Sequence, residues 1–291
     1  MTTPRRSYPS DLSDPRWALL EPELARWRAA RAENGLGITE PIHDLREIVN
    51  AILYLNRTGT AWAYLPHDFP PASTVYGYYA EWQKDGTTEK LHEMLRRRVR
   101  TDAGRSPEPT AALVDAQSVK TSGNVPESSQ GVDAGKLIKG RKRHIVTDTL
   151  GLLLVIMVTA GSVQDTTGGR DLMQMPADRH PSVSKAWVDS GYKKSVVEAG
   201  AARGVDVEVV SKEPGQKGFK PLPKRWAVER TFGWLMMHRR LVRDYETRPD
   251  RSVSVIHWAM IENMSRRVTG EVTRTWRIDP PSASGEPGIA A

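Results

Sequence analysis

The chain has 291 residues, 38% of them hydrophobic, with nine Trp, enough for one large domain or two ordinary ones. Its net charge of +7 favours a polyanionic partner, most simply nucleic acid. The absence of cysteine excludes disulfides, thiolate zinc sites and a Cys nucleophile. The longest apolar run, residues 150–160, is too short to span a bilayer and lies mid-chain behind a basic cluster. Neither a membrane span nor a signal peptide is expected, so a cytoplasmic protein is the expectation.

Residues 1–11 are polar and Pro-bearing and read as a flexible arm. A helix follows, with Ser13 or Asp14 as its cap and Pro15 in its first turn, and Asn34-Gly35 ends it. A second helix runs from about His43 to Thr58. Leu45, Ile48, Val49, Ile52 and Leu53 make its core face, and Gly59 closes it. Ser73 or Thr74 starts a third, and residues 88–100 form a fourth, burying Leu91, Leu95 and Val99 while exposing Arg96, Arg97 and Arg100. Residues 12–101 therefore read as a helical domain for DNA binding or assembly, a distant likeness to a helix-turn-helix with an over-long loop. A helical lid that only packs on the next domain is the alternative. The polar stretch TDAGRSPEP, residues 101–109, is the boundary.

From Thr110 the period changes. Residues 111–122, AALVDAQSVKTS, form a strand with Asp115 inside it, and a polar connection over 125–144 ends in a basic cluster. HIVTDT and LGLLLVIMVTAG read as two strands joined by a hairpin turn at Asp148–Gly151, the second apolar enough for a central strand. Residues 165–175 form a short helix or loop. The strand of KAWVDSGY stops at Asp189, a helix closes at Gly204, and VDVEVVSK is the fifth strand. A short basic loop leads into Leu222–Tyr245, read as one long helix. Val228, Phe232, Leu235 and Val242 make its apolar stripe, and Arg225, Glu229 and Gly233 share a neighbouring face. Between Ser211 and Arg243 nine Lys/Arg surround two acids, Glu213 and Glu229. Residues 248–268 form an amphipathic helix, and 269–291 a disordered tail.

This order is that of an RNase H-like core over residues 110–268: a mixed five-stranded sheet flanked by helices, behind an all-helical amino-terminal domain. A doubly wound α/β fold is the competitor. In the RNase H-like arrangement Asp115 and Asp189 lie on neighbouring strands and the helix bearing Glu229 packs across them. Three carboxylates without His or Cys select Mg²⁺ or Mn²⁺, and two such ions suit phosphodiester chemistry. Glu229 also has a plainer reading, an acid paired with Arg225 or Arg230. Asp148 reads as a turn residue, and Asp133 and Asp165 as loop acids, Asp165 being near enough to support the site. No Ser-His-Asp order or P-loop occurs.

SDPRWALLEPEL, VDAQSVKTS, DAGKLIKGRKRHIVTDTLGLLLVIMVTAGSVQDTTG, WVDSGY and LPKRWAVERTFGWLMMHRRLVRDYE, in this order, resemble the blocks of bacterial insertion-sequence DDE transposases of the insertion sequence five group. The resemblance implies that Asp115, Asp189 and Glu229 are the catalytic, metal-binding triad. It also implies a Tyr, Arg, Glu, Lys signature, of which Arg225 and Glu229 are present while Leu222 and Met236 replace the Tyr and Lys; Arg239 and Arg240 are the nearest substitutes for the missing cation. It implies binding of the element's terminal inverted repeats, Mg²⁺-dependent cleavage at its ends, strand transfer into target DNA, and a homodimer or larger assembly near the bacterial nucleoid. Lys136, Lys139, Arg141, Lys142 and Arg143 form one expected DNA-binding cluster, and Lys217, Lys220, Lys224, Arg225 and Arg230 another. An inactive or domesticated DNA-binding protein and an RNase H-like nuclease without strand transfer are the alternatives.

Overall fold

The structure, a computed structural model, describes residues 5–35, 43–192, 194–210 and 225–272, without the side chains of 175–177. Four helices come first: α1 (Asp14–Glu33), α2 (Leu45–Thr58), α3 (Ala72–Lys84) and α4 (Thr87–Asp102). Ser13 caps α1 by accepting from the Arg16 N–H, and Asp44 caps α2 by accepting from the Arg46 N–H. Gly59 ends α2 in the left-handed conformation, at φ 76°. The third helix starts at Ala72, ahead of the expected Ser73 or Thr74 cap, with Pro71 before it.

The sheet contains β1 (Ala111–Lys120), β2 (Gly131–Asp133), β3 (Ile138–Asp148), β4 (Leu153–Ala160), β5 (Lys185–Asp189) and β6 (Asp206–Val210). β3 lies antiparallel between β1 and β4, and β1 continues into parallel pairing with β5 and then β6. This is the RNase H-like arrangement expected, with one strand more. The extra strand, β2, shares the outer edge of β3 with β4. The apolar run of β4 is therefore an edge strand covered on both faces rather than a central one. Its hairpin turn is as expected: Asp148 Oδ1 accepts from the N–H groups of Leu150 (2.9 Å) and Leu152 (2.8 Å), and Gly151 supplies φ 75°.

Helices α5 (Asp165–Arg179) and α6 (Lys194–Ala201) cover one face. The other face carries α7 (Trp226–Met236), α8 (Arg239–Val242) and α9 (Pro249–Thr269). The long helix expected over Leu222–Tyr245 is broken: the backbone turns extended at His238, φ −100° and ψ 113°, and Val242 is exposed rather than part of the stripe. Residues 222–224 lie outside the described residues. The expected amphipathic helix is instead a central pillar, with every residue of α9 from Ser254 to Arg266 buried.

Helices α1–α4 share one core with the sheet. Leu24, Ile52, Tyr79, Trp82 and Leu91 pack in the same apolar cluster as Ile145, Leu153, Val228, Trp258 and Met260. The polar boundary at residues 101–109 separates elements of the sequence without separating their cores. From Arg5 onward the expected arm is held down: Arg5 pairs with Asp11 (2.7 Å) and Glu47 (2.6 Å), and Tyr8 stacks on Phe69. The tail expected over 269–291 is described only to Val272, with Thr269 ending α9.

Candidate active site

Strand register places the two aspartates. Leu113 of β1 lies opposite Trp187 of β5. Two residues further along each parallel strand, on the same face, stand Asp115 and Asp189. Each carboxylate has one oxygen tied to nearby backbone: Asp115 Oδ1 accepts from the Ala116 N–H (2.7 Å) and Asp189 Oδ1 from the Gly191 N–H (2.8 Å). The absence of a side chain at Gly191 permits this turn, because a Cβ there would stand 2.9 Å from Asp189 Oδ1. The remaining oxygens face one cation. Arg225 Nη2 donates to Asp115 Oδ2 at 3.1 Å and lies 3.6 Å from Asp189 Oδ2. Burial raises the Asp115 carboxyl above its ordinary range, and the Arg225 charge opposes that shift.

Glu229 is half-buried one turn beyond Arg225, on the first turns of α7. Its carboxylate makes no hydrogen bond or ion pair among the described residues. Packing fixes the helix that carries it: Thr231 Oγ1 donates to Gly151 O (2.6 Å) and Arg230 Nη2 to Leu150 O (2.7 Å), so the β3–β4 turn anchors α7. Among the described residues the three acids are not gathered tightly enough to hold one ion together. The donor set nevertheless fits a hard divalent ion: oxygen atoms only, two of them already sharing a positive charge.

Sequence reasoning gave Tyr192 no role. Its hydroxyl is buried without a hydrogen-bond partner among the described residues, and its ring packs so closely on α5 that a Cβ at Gly169 would meet it at 2.4 Å. Burial pushes this phenol far up, and the charges of Asp115, Asp165 and Asp189 push it further, so it stays neutral beside the acids. Only the spacing of DSGY hinted at its place.

The basic clusters divide sharply. Lys136 and Lys139 are exposed, and Lys136 Nζ reaches Ala116 O (3.3 Å), next to Asp115. Lys139 pairs with Glu127 at 2.8 Å. The other three are a correction. The expected connection is strand β3, covered on both faces, so its cations alternate into the interior. Arg141 donates to Glu246 O (2.6 Å) and Ser252 Oγ (3.0 Å), and Arg143 to Leu241 O (2.8 Å), on the α8–α9 face. Lys142, on the opposite face, donates to Val163 O (2.9 Å) and pairs with Asp165 (2.9 Å) and Asp133 (3.3 Å). None of the three is available to DNA.

Arg240 is likewise buried, against Glu246 (2.6 Å) and Thr60 O (2.8 Å). Arg239 is exposed. Arg230 lies over the rings of Trp226 (4.5 Å) and Trp234 (4.9 Å), and Trp226 is itself exposed. Lys217, Lys220 and Lys224 lie outside the described residues. In α4, Arg96 and Arg100 are buried contrary to expectation, Arg96 against Glu93 (2.8 Å) and Glu108 (3.1 Å), and Arg100 against Asp148. Arg97 alone of that trio is exposed.

Comparison with known families decides what this arrangement belongs to. The family described as "Transposase DDE domain" matches residues 106–264. The chain belongs to the DDE transposase family. A second family, described as "Putative transposase of IS4/5 family", matches residues 12–92 of this transposase-family chain, across its amino-terminal helices. One relative, from Burkholderia cepacia, is named "Putative transposase for insertion sequence element IS402"; it is 34% identical over 131 residues, 42% of this chain and 59% of the relative. Another from the same organism, "Insertion element IS402 uncharacterized 16.2 kDa protein", is 29% identical over 114 residues, 38% of this chain and 74% of the relative. The match thus spans little more than half the length of the first relative. Among the described residues, no helix is long and apolar enough to cross a membrane.

Proposed function

We propose that this DDE-family chain is an insertion-sequence transposase that binds the terminal inverted repeats of its element, cuts the DNA there and joins the freed ends to target DNA. The observation that carries the reading is the shared cation of Asp115 and Asp189 on adjacent parallel strands, at the start of the helix that bears Glu229. Asp115, Asp189 and Glu229 are the residues that would hold Mg²⁺ or Mn²⁺. When bound, such ions lower the barrier by activating the attacking oxygen and stabilising the leaving one. In Asp115 and Asp189 a backbone N–H holds one oxygen of each carboxylate, which fixes its orientation and leaves the other oxygen for the ion with little reorganisation. Arg225 sits where a DNA phosphate next to the carboxylates would meet a guanidinium fork. Lys136, Lys139 and Arg239 supply further exposed positive charge, and Lys220 and Lys224 extend it in sequence. Two DNA ends must be joined in one event, which calls for a homodimer or larger assembly.

The test is Mg²⁺-dependent nicking of DNA carrying the element's ends, followed by strand transfer from pre-cut ends. Wild type should do both, and Asp115→Asn neither. A protein that nicks but never joins pre-cut ends would be a nuclease of this fold. Nicking unchanged by Asp115→Asn would remove the site from the reaction.

A further inference from the structure

The Arg225 side chain has a consequence beyond phosphate contact. Its guanidinium fills the position between the two aspartate oxygens that are not tied to backbone. A divalent ion shared by Asp115 and Asp189 would need those same oxygens. A guanidinium and a divalent ion placed there together would repel at a few ångströms in a partly sheltered site. The Arg225 side chain makes no other hydrogen bond or ion pair among the described residues and is 22% exposed, so a solvent-borne anion can reach it. It precedes the first turn of α7, where the helix dipole adds positive potential. Arg pairs with phosphate through two parallel hydrogen bonds, a better match than two separate carboxylates touched by one nitrogen.

We propose that Arg225 is an internal competitor for the cation position of Asp115 and Asp189, drawn off when a DNA phosphate takes its guanidinium. The metal position then fills more readily with DNA at hand, which lowers its occupancy in the free protein. This rests on the reading of Asp115 and Asp189 as metal ligands.

Mn²⁺ binding to the full-length protein, followed by titration calorimetry without DNA, tests it. Arg225→Gln and Arg225→Met should each bind Mn²⁺ about tenfold more tightly than wild type, the size of one partly screened charge contact. Adding a short duplex, with the duplex-alone signal subtracted, should tighten Mn²⁺ binding by wild type and leave both variants unchanged. Thermal melts confirm folding, and the Met variant retains part of the aliphatic stem should Gln disturb the helix start. Equal or weaker Mn²⁺ binding by both folded variants overturns the competition. Asp115→Asn separates the two levels: if it weakens Mn²⁺ binding while the Arg225 variants match wild type, only the competition fails. If it leaves Mn²⁺ binding unchanged, the metal site fails and the competition with it.

Discussion

Asp133 shows how a residue that reads as a loop acid becomes structural. Burial alone would raise its pKa, but the Ser118 hydroxyl, the Lys136 N–H and the Lys142 ammonium hold it down to about 2. A carboxylate whose folded pKa is depressed stabilises the protein above its ordinary pKa of 3.8, and that contribution is lost as pH falls through about 2. Asp133→Asn should therefore cost about 1 kcal/mol at neutral pH, once solvent screening is allowed for, and flatten the acid limb of stability between those values. Urea unfolding as a function of pH checks it; an unchanged acid limb would mean that Ser118 and Lys142 do not prefer the charged form. The same scale explains what was legible. Asp115 and Asp189 could be found because an acid inside or ending an apolar strand conflicts with its surroundings. Arg141, Lys142 and Arg143 could not be placed, since a run of cations looks alike on a surface and on a strand covered on both sides. Arg225 was visible as a cation near Glu229, but its partner Asp115 lies 110 residues away in sequence and only the fold brings them together.

The turn between β3 and β4 illustrates how one element positions another. Its sequence signal was clear, but its second task was not: Gly151 packs directly against α7. A Cβ at Gly151 would stand 2.8 Å from Ala227 O and 3.0 Å from Thr231 Oγ1, on a backbone at φ 75°. Gly151→Ala should destabilise by roughly 2–4 kcal/mol through left-handed strain and the clash with α7. Denaturant titration measures this, and a loss below about 0.5 kcal/mol, the range of neutral surface changes, would show that α7 does not need this contact. The break after Met236 escaped sequence reasoning for a related reason. Residues 222–245 keep helical periodicity, but tertiary partners override it: Arg57 Nη1 donates to Met237 O at 2.8 Å, and His238 is buried at the bend.

At the scale of the molecule, the amino-terminal helices and the sheet are legible as two regions but fold around one core. The polar linker marks a change of period, and nothing in local sequence reports that Trp82 and Trp258 will meet at 5.8 Å. The full chain should unfold in one cooperative transition, and removing residues 1–105 should leave a protein without a sharp thermal melt, because α9 would lose the helices that cover it. Two separate calorimetric transitions in the full chain would contradict a shared core. On the proposed function, DNA affinity would be spread over such a molecule whereas cleavage would depend on three carboxylates, and that difference gives the most direct test. Glu229→Gln should lower Mg²⁺-dependent cleavage of end DNA by about a thousandfold while DNA affinity stays within about twofold. Equal loss of cleavage and affinity would make Glu229 a structural residue and contradict the assignment of the site.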